Sequence, residues 1–306
     1  MRINVRLRDL LVQALVESMS VDMMVMLAQR FIPYYNLQER TGFPENMSVP
    51  NRDAARQIVN DIRDSRLVLQ FAGLLVVMHT EGLMGRKYVI SHMREILAEI
   101  HGAGFIFNRE FGTFVEDSRI RRTRNWGTLV EGQEYVFSFM SLDIVGNTGL
   151  VREYPEETIR ATYGDLRGIV QRSIEKREGR LWNWEGDGGL VAFYFAKKFN
   201  AALLSAIDIL HDLFLYNRLE CSFKSPLGVR LAVHGGPCEF RHNTEDIVSD
   251  TINRTLEIEA VHTGPNTVTV SNVVYLALDP LLQEMLAPVE TGDRSILHAY
   301  ELRWEE

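Results

Sequence analysis

Cysteine is nearly missing from this chain: two occur, Cys221 and Cys238, in a sequence of 306 residues. Two thiols 17 positions apart cannot build a disulfide framework or a cysteine-rich zinc site, and free thiols in a reducing compartment are expected. Excess positive charge is lacking as well. The formal net charge is −8, which argues against a chain-wide nucleic-acid or anionic-membrane surface. Long hydrophobic runs are scarce. The longest, Leu67–Met78, is interrupted by Gln70 and falls short of the roughly 18–20 residues of a spanning helix. The first residues, Met-Arg-Ile-Asn-Val-Arg-Leu-Arg, lack an apolar core followed by a small-residue cleavage site. These absences predict a soluble, cytoplasmic protein without a membrane partner. What is present, 46% hydrophobic and 24% charged residues, suits one large or two modest globular domains.

The first 130 residues read as mainly helical. Leu7, Leu10, Leu11, Ala14, Leu15, Met23, Met26 and Leu27 recur at helical spacing over 7–31. Met19, Met23, Met24 and Met26 concentrate in this stretch, which suits core packing or an adaptable protein contact. Asn51 is placed to cap a helix over 52–63, and further buried helices are expected over 67–79 and 89–100. His79, His92 and His101 have no partner at metal-ligand spacing. A short hairpin is expected over 105–115 with its turn near 108–110. Arg119, Arg121, Arg122 and Arg124 follow. Four arginines so close could meet phosphate, but before a new domain they read as a solvated linker, with nucleic acid an unlikely partner.

The composition turns strand-rich at Glu134, so a second domain is expected over 131–306. Strand 135–144 leads to a helix over 156–175, opened by Pro155 and two glutamates. Strands 180–185 and 189–195 flank Gly186-Asp187-Gly188-Gly189, and a helix over 199–218 follows. Strand 228–234, helix 250–262, strand 267–271, helix 273–286 and strands near 287–291 and 296–303 complete the chain. This order predicts an α+β fold, an α/β sandwich with a ferredoxin-like unit and helices on one face of a mostly antiparallel sheet.

Two carboxylates stand out. Asp143 ends the run Tyr-Val-Phe-Ser-Phe-Met-Ser-Leu-Asp-Ile-Val-Gly-Asn-Thr (135–148), and Asp187 sits in Trp-Asn-Trp-Glu-Gly-Asp-Gly-Gly (182–189). Each lies at a chain reversal behind an apolar strand. Held on adjacent strands, they would form an oxygen-only site for a hard divalent cation.

Four segments in order resemble the class III nucleotidyl cyclases, the adenylate and guanylate cyclase family. Leu142-Asp-Ile-Val-Gly-Asn-Thr is similar to the family's first metal-binding segment. Gly186-Asp-Gly is similar to the second, 44 residues on, a separation the family also shows. Leu231-Ala-Val-His-Gly-Gly-Pro resembles the strand and turn written in relatives as Gly-Ile-His-Thr-Gly-Pro. Asp246-Ile-Val-Ser-Asp-Thr-Ile-Asn resembles the Asp-Ile-Trp-Gly-Asn-Thr-Val-Asn segment of animal adenylate cyclases. The resemblance spans roughly 133–303 and leaves the N-terminal region as a regulatory or dimerisation domain.

The resemblance implies a metal-dependent enzyme, a phosphorus–oxygen lyase, that converts a nucleoside triphosphate to a 3′,5′-cyclic nucleotide and pyrophosphate. Asp143, Asp187 and the Ile144 carbonyl would hold two divalent cations, Mg²⁺ or Mn²⁺. Amides of Gly146, Asn147 and Thr148 would hold phosphate oxygens. Asn253 would act at the transition state. The base-reading lysine of adenylate cyclases falls here on Asn183, with Asp246 kept as its partner. Asparagine both donates and accepts hydrogen bonds, so the pair suits uracil or cytosine and resembles the Pycsar-type pyrimidine cyclases, whose product, cyclic UMP or cyclic CMP, serves anti-phage defence. The tryptophans at 182 and 184 would share the opposite strand face as packing. Glu257 stands where the family places its transition-state arginine. Arg254 and Arg294 are the candidates to replace it, and a slow enzyme, an adenylate cyclase or a weak nucleotide sensor stay open. One cyclase domain carrying both halves of the site implies a homodimer with two active sites.

Overall fold

The computed structural model describes residues 4–44, 46–109, 112–292 and 296–302. The chain divides into two compact units, residues 1–128 and 129–306.

The first unit is built from helices α1 (Val5–Ser18), α2 (Val21–Gln29), α3 (Leu37–Thr41), α4 (Asn51–Asp64), α5 (Val68–Thr80) and α6 (Met93–Gly102), followed by the hairpin strands β1 (Phe105–Asn108) and β2 (Thr113–Glu116). The expected helix over 7–31 is two helices, because the Ser20 hydroxyl accepts from the Met23 amide and starts α2 afresh. Asn51 is the first residue of α4 rather than its cap. Pro50 precedes it, and the Asn51 amide donates to the Val16 carbonyl at 3.0 Å. Helix α6 starts at Met93, later than the expected 89. The apolar α5, whose Phe71, Ala72, Leu75 and Met78 are buried, belongs to a core shared with Leu11, Leu15, Ile58 and Ile96. Each such leucine or phenylalanine contributes about 1.5–3 kcal/mol on burial. The expected hairpin turn reaches Glu110, which lies outside the described residues.

The four arginines of the arginine-rich stretch are exposed, as a solvated segment requires, but the stretch is also tied to buried carboxylates. The Arg119 guanidinium meets buried Asp117 at 2.8 Å, and that of Arg121 meets buried Glu116 at 2.8 Å. Glu116 also accepts the Thr123 amide and hydroxyl, each at 2.8 Å. Asp117 is held down to about 2, chiefly by its hydrogen bonds from Arg119. Arg119 and Arg121 are therefore engaged by buried carboxylates of their own chain.

The second unit contains β3 (Glu134–Ile144), α7 (Asn147–Glu153), α8 (Glu156–Glu175), β4 (Arg180–Glu185), β5 (Gly188–Phe193), α9 (Lys198–Leu219), β6 (Val229–Glu239), a 3₁₀ turn (Thr244–Asp246), α10 (Asp250–His262), β7 (Thr267–Ser271), α11 (Asn272–Ala277), α12 (Pro280–Gln283), β8 (Ala287–Val289) and β9 (Leu297–Glu301). The strands lie in the order β4-β5-β3-β6-β7-β9-β8. All pairs are antiparallel except β6 with β7. Strands β3 to β6 with α8 and α9 make the ferredoxin-like β-α-β-β-α-β unit, so the fold is α+β. Asp279 and Pro280 divide the expected helix over 273–286 into α11 and α12. Strand β6 runs on to Glu239, five residues past its expected end.

Helices cover both faces of this sheet, not one. Met140, Leu142 and Ile144 join α8 and α9 in one core, with Leu166, Ile169, Leu203 and Leu210. The alternate residues face the other way, where α10 lies: Ser141 is 3.4 Å from the Thr255 carbonyl, and Ala232 packs with Ile258. Gly235 and Gly236 make this double cover possible. A Cβ on Gly235 would lie 2.3 Å from the Phe199 ring of α9, and one on Gly236 would lie 2.8 Å from the Thr251 hydroxyl of α10. Helix α9 is long and apolar enough to cross a membrane by length and composition, but over half of it is buried within the unit.

Candidate active site

Alternation along β3 sends Asp143 to the α10 face, at the strand's C-terminal end. Directly opposite on β6 stands Arg230. Its guanidinium donates a short hydrogen bond to Asp143 Oδ2. Arg230 Nε also lies 3.0 Å from Glu259 Oε1 of α10, close but without hydrogen-bond alignment. Arg230 thus bridges two carboxylates from different elements. Burial pushes Glu259 up to about 7; Arg230 opposes that rise, while Asp143 and Asp187 add to it.

Asp187 is brought to the same end of the sheet by a turn that needs its glycines. Glu185 and Gly188 pair, leaving Gly186 and Asp187 as a two-residue turn with Gly186 at φ +54°. A Cβ on Gly188 would lie 2.5 Å from the Leu142 carbonyl oxygen, so only glycine lets β5 close against β3 beside Asp143. The Asn147 side chain, from the start of α7, donates a short hydrogen bond to Asp187 Oδ2. Asn147 Oδ1 accepts from the Tyr163 hydroxyl of α8 at 2.5 Å. Burial raises the Tyr163 phenol above its ordinary range, and the charges of Asp187 and Asp143 raise it further. Tyr163 and Glu259 each feel the charges of both aspartates, so the four groups share one neighbourhood at the sheet end.

This cluster suits a hard cation by its donor chemistry. Each aspartate has one oxygen committed to a protein donor, Arg230 or Asn147. Among the described residues no three His, Cys, Asp or Glu side chains form a set that could hold a metal ion alone. Further ligands would have to be oxygens of another kind, such as the Ile144 carbonyl or a substrate phosphate. Gly146 takes a left-handed conformation, φ +70°, and α7 follows from Asn147. That places the amides of Asn147 and Thr148 in a first helical turn, where amides lack intrahelical partners. Helix α7 itself was not expected from the sequence.

Asn183 and Asp246 come from neighbouring elements. The Thr244 hydroxyl of the 3₁₀ turn donates to the Trp182 carbonyl of β4 at 2.7 Å, so the Asp246 turn is tied down one residue from Asn183. Asn183 itself donates to Glu185 at 3.0 Å, and Asp246 is exposed. The two tryptophans do not share a face. The register shifts between Leu181 and Asn183, and this bulge turns Trp182 toward Phe137 and Phe139. Trp184 packs instead into the core of α8 and α9.

Asn253 is exposed on α10. The guanidinium of the next residue, Arg254, meets Glu257 at 2.7 Å, and burial together with the Arg254 charge lowers the His234 pKa. Glu257, which stands in the expected arginine's place, thus holds the nearest arginine. Arg294 lies outside the described residues.

Sequence reasoning passed over Arg230, Glu259 and Tyr163. Glu259 could have been found: with Thr251, Thr255 and Ile258 it lies on the buried stripe of α10, where an unpaired carboxylate is costly. Nothing in the sequence near Tyr163 marks it.

No known family signature matches this chain, and no curated protein does. Solved structures do resemble it. The adenylyl cyclase CyaB from P. aeruginosa is 17% identical, covers 57% of this chain and 98% of its own, and gives a TM-score of 0.48. The adenylate/guanylate cyclase/hydrolase from Silicibacter pomeroyi is 20% identical over 56% of this chain and 99% of its own, with a TM-score of 0.46. The guanylate cyclase domain of RhGC from Catenaria anguillulae, in complex with GTP, is 15% identical over 55% and 96%, with a TM-score of 0.45. At these identities chemistry has to be read from the residues at the sheet end.

Proposed function

We propose that this chain is a cytoplasmic, metal-dependent nucleotidyl cyclase that turns a nucleoside triphosphate into its 3′,5′-cyclic monophosphate and pyrophosphate. The substrate is a pyrimidine nucleotide, UTP or CTP, and the product is a second messenger in bacterial anti-phage defence. One observation carries the reading. Asp143 and Asp187, 44 residues apart in sequence, meet at one sheet end, each with an oxygen left over for a ligand.

In this reading Asp143, Asp187 and the Ile144 carbonyl would hold two divalent cations, Mg²⁺ or Mn²⁺. When bound, such cations make a ribose 3′-hydroxyl a better nucleophile and take up charge on departing pyrophosphate. The protein's own part is alignment and charge. Amides of Gly146, Asn147 and Thr148 cradle phosphate oxygens, while Asn183 and Asp246 hold the base. The hydroxyl attacks the α-phosphorus, the bond to pyrophosphate breaks in line, and the hydroxyl proton leaves to solvent or a nearby base. Asn253 and Arg254 stabilise the transition state from a second copy of the chain. Two sites in a symmetric dimer follow, an arrangement supported by Asn253's exposure on α10. The N-terminal unit is the regulatory or additional dimerisation module.

Arg254 has to leave Glu257 to reach a phosphate. That engagement favours a second reading, a catalytically weak nucleotide sensor on the same fold. Incubating the purified chain with ATP, GTP, CTP and UTP in turn with Mn²⁺, and resolving products chromatographically, decides between them. The proposal expects cyclic UMP or cyclic CMP. Cyclic AMP alone would make it an adenylate cyclase. Nucleotide binding by calorimetry with no cyclic product from any of the four would leave only the sensor.

A further inference from the structure

The amide of Asn147 is gripped from two sides by different elements. Its Nδ2 donates to Asp187 in the β4–β5 turn. Its Oδ1 accepts from the Tyr163 hydroxyl on α8 at 2.5 Å. A primary amide donates at one end and accepts at the other. Which end meets Asp187 is therefore set by what meets the opposite end. The Tyr163 hydroxyl, donating its proton, takes the carbonyl oxygen and leaves the NH₂ for the carboxylate. A reversed amide would set its carbonyl oxygen against a carboxylate oxygen, acceptor against acceptor.

The consequence reaches Asp187. A carboxylate on a two-residue turn rotates about its own side-chain bonds unless something fixes it. Backbone pairing of β4 with β5 places the Asp187 Cα but not its oxygens. The hydrogen bond from Asn147 fixes Oδ2, and Tyr163, half-buried on a twenty-residue helix, anchors Asn147. Asn147 otherwise opens the seven-residue helix α7 behind the left-handed Gly146, a short platform on its own.

We propose that Tyr163 and Asn147 are positioning residues, a hydrogen-bonded relay that locks Asp187 in one rotamer, retains Oδ2 on the protein and leaves Oδ1 to a divalent cation. This deepens the proposed function and rests on it. It gives the Asn147 side chain a task separate from the amide contact already assigned to its backbone. It also gives α8 a part in the site through a residue that touches neither substrate nor cation. The arrangement is the counterpart of Arg230 on Asp143, with a neutral donor in place of a cation. Partners of metal ligands of this kind change metal affinity by about 10–100-fold when removed.

The test uses the full chain and Mn²⁺ alone, without nucleotide, with binding followed by calorimetry and by the Mn²⁺ electron paramagnetic resonance signal. Tyr163→Phe keeps the ring and its packing and removes only the hydroxyl. It is expected to weaken Mn²⁺ binding by about 10-fold, with an unchanged circular dichroism spectrum. Asn147→Ala is expected to weaken it at least as much. Because Tyr163 acts through Asn147, the double variant is expected to be no weaker than Asn147→Ala alone. Unchanged or tighter binding in Tyr163→Phe would overturn the relay, and so would losses that add in the double variant. In either case wild-type product formation would leave the proposed function standing. A wild-type chain that neither binds Mn²⁺ nor forms any cyclic product would remove both.

Discussion

Two groups of carboxylates and arginines lie in this chain, and they are built for opposite ends. In the first unit Glu116 and Asp117 are 0% and 3% exposed, each closed off by an arginine from the following loop. In the second, the Asp143 side chain is 27% exposed, and a protein donor holds only one of its oxygens. By charge density alone the arginine run of 119–124 is the more conspicuous feature. Tertiary structure reverses that ranking. Glu116 and Asp117 are closed off from solvent, so a ligand has no route to their oxygens, whereas Asp143 stands half satisfied and partly open at a strand end. Removing one member of a sealed pair leaves its buried partner uncompensated and costs stability, whereas an open carboxylate keeps unmet coordination capacity.

That contrast can be broken in measurable ways. The largest effect is expected at the open pair: Asp143→Ala should reduce cyclic nucleotide formation to background in the chromatographic assay. Its fold should persist, since Arg230 still has Glu259 beside it. The sealed pair should respond in stability instead. Glu116→Ala removes the carboxylate that pairs with Arg121 and accepts twice from Thr123. It should lower stability by about 2–3 kcal/mol in urea denaturation.

The smallest effect, and the sharpest, is the direction of pH dependence in the metal-free chain. Asp117's folded value, about 2, is depressed below its ordinary 3.8. It contributes stability above 3.8 and loses it as pH falls toward 2. Glu259's folded value, about 7, is raised above its ordinary 4.5. Its contribution is present below 4.5 and is lost as pH rises to 7, on the order of 1–3 kcal/mol. Asp117→Asn should therefore flatten the acid limb of a stability profile, and Glu259→Gln the limb between 4.5 and 7. Like slopes for the two variants would erase the distinction between the sites.

Much of the second unit was legible because its signals are local. Alternation from Tyr135 to Ile144, Pro155 before two glutamates, and Gly-Asp-Gly-Gly between two strands each determine their own stretch of backbone. Two differences are local as well: the Ser20 cap and Pro280 divide helices that apolar spacing alone would join. The others arise where contact with distant residues decides. The bulge at Trp182 sends that ring to Phe137 and Phe139 on β3, a preference invisible from β4. Helix α10 crosses to the second face because Gly236 and Ala232 leave room there, which depends on a strand 14 or more residues earlier.

The sequence by itself determined the α+β order of elements and the two aspartates, because side-chain periodicity, glycine conformation and turn spacing act within a few residues. Only the tertiary structure decided what surrounds those aspartates. Arg230, Glu259, Asn147 and Tyr163 reach the sheet end from β6, α10, α7 and α8. Their roles depend on strand register and helix placement, set by packing across the whole unit.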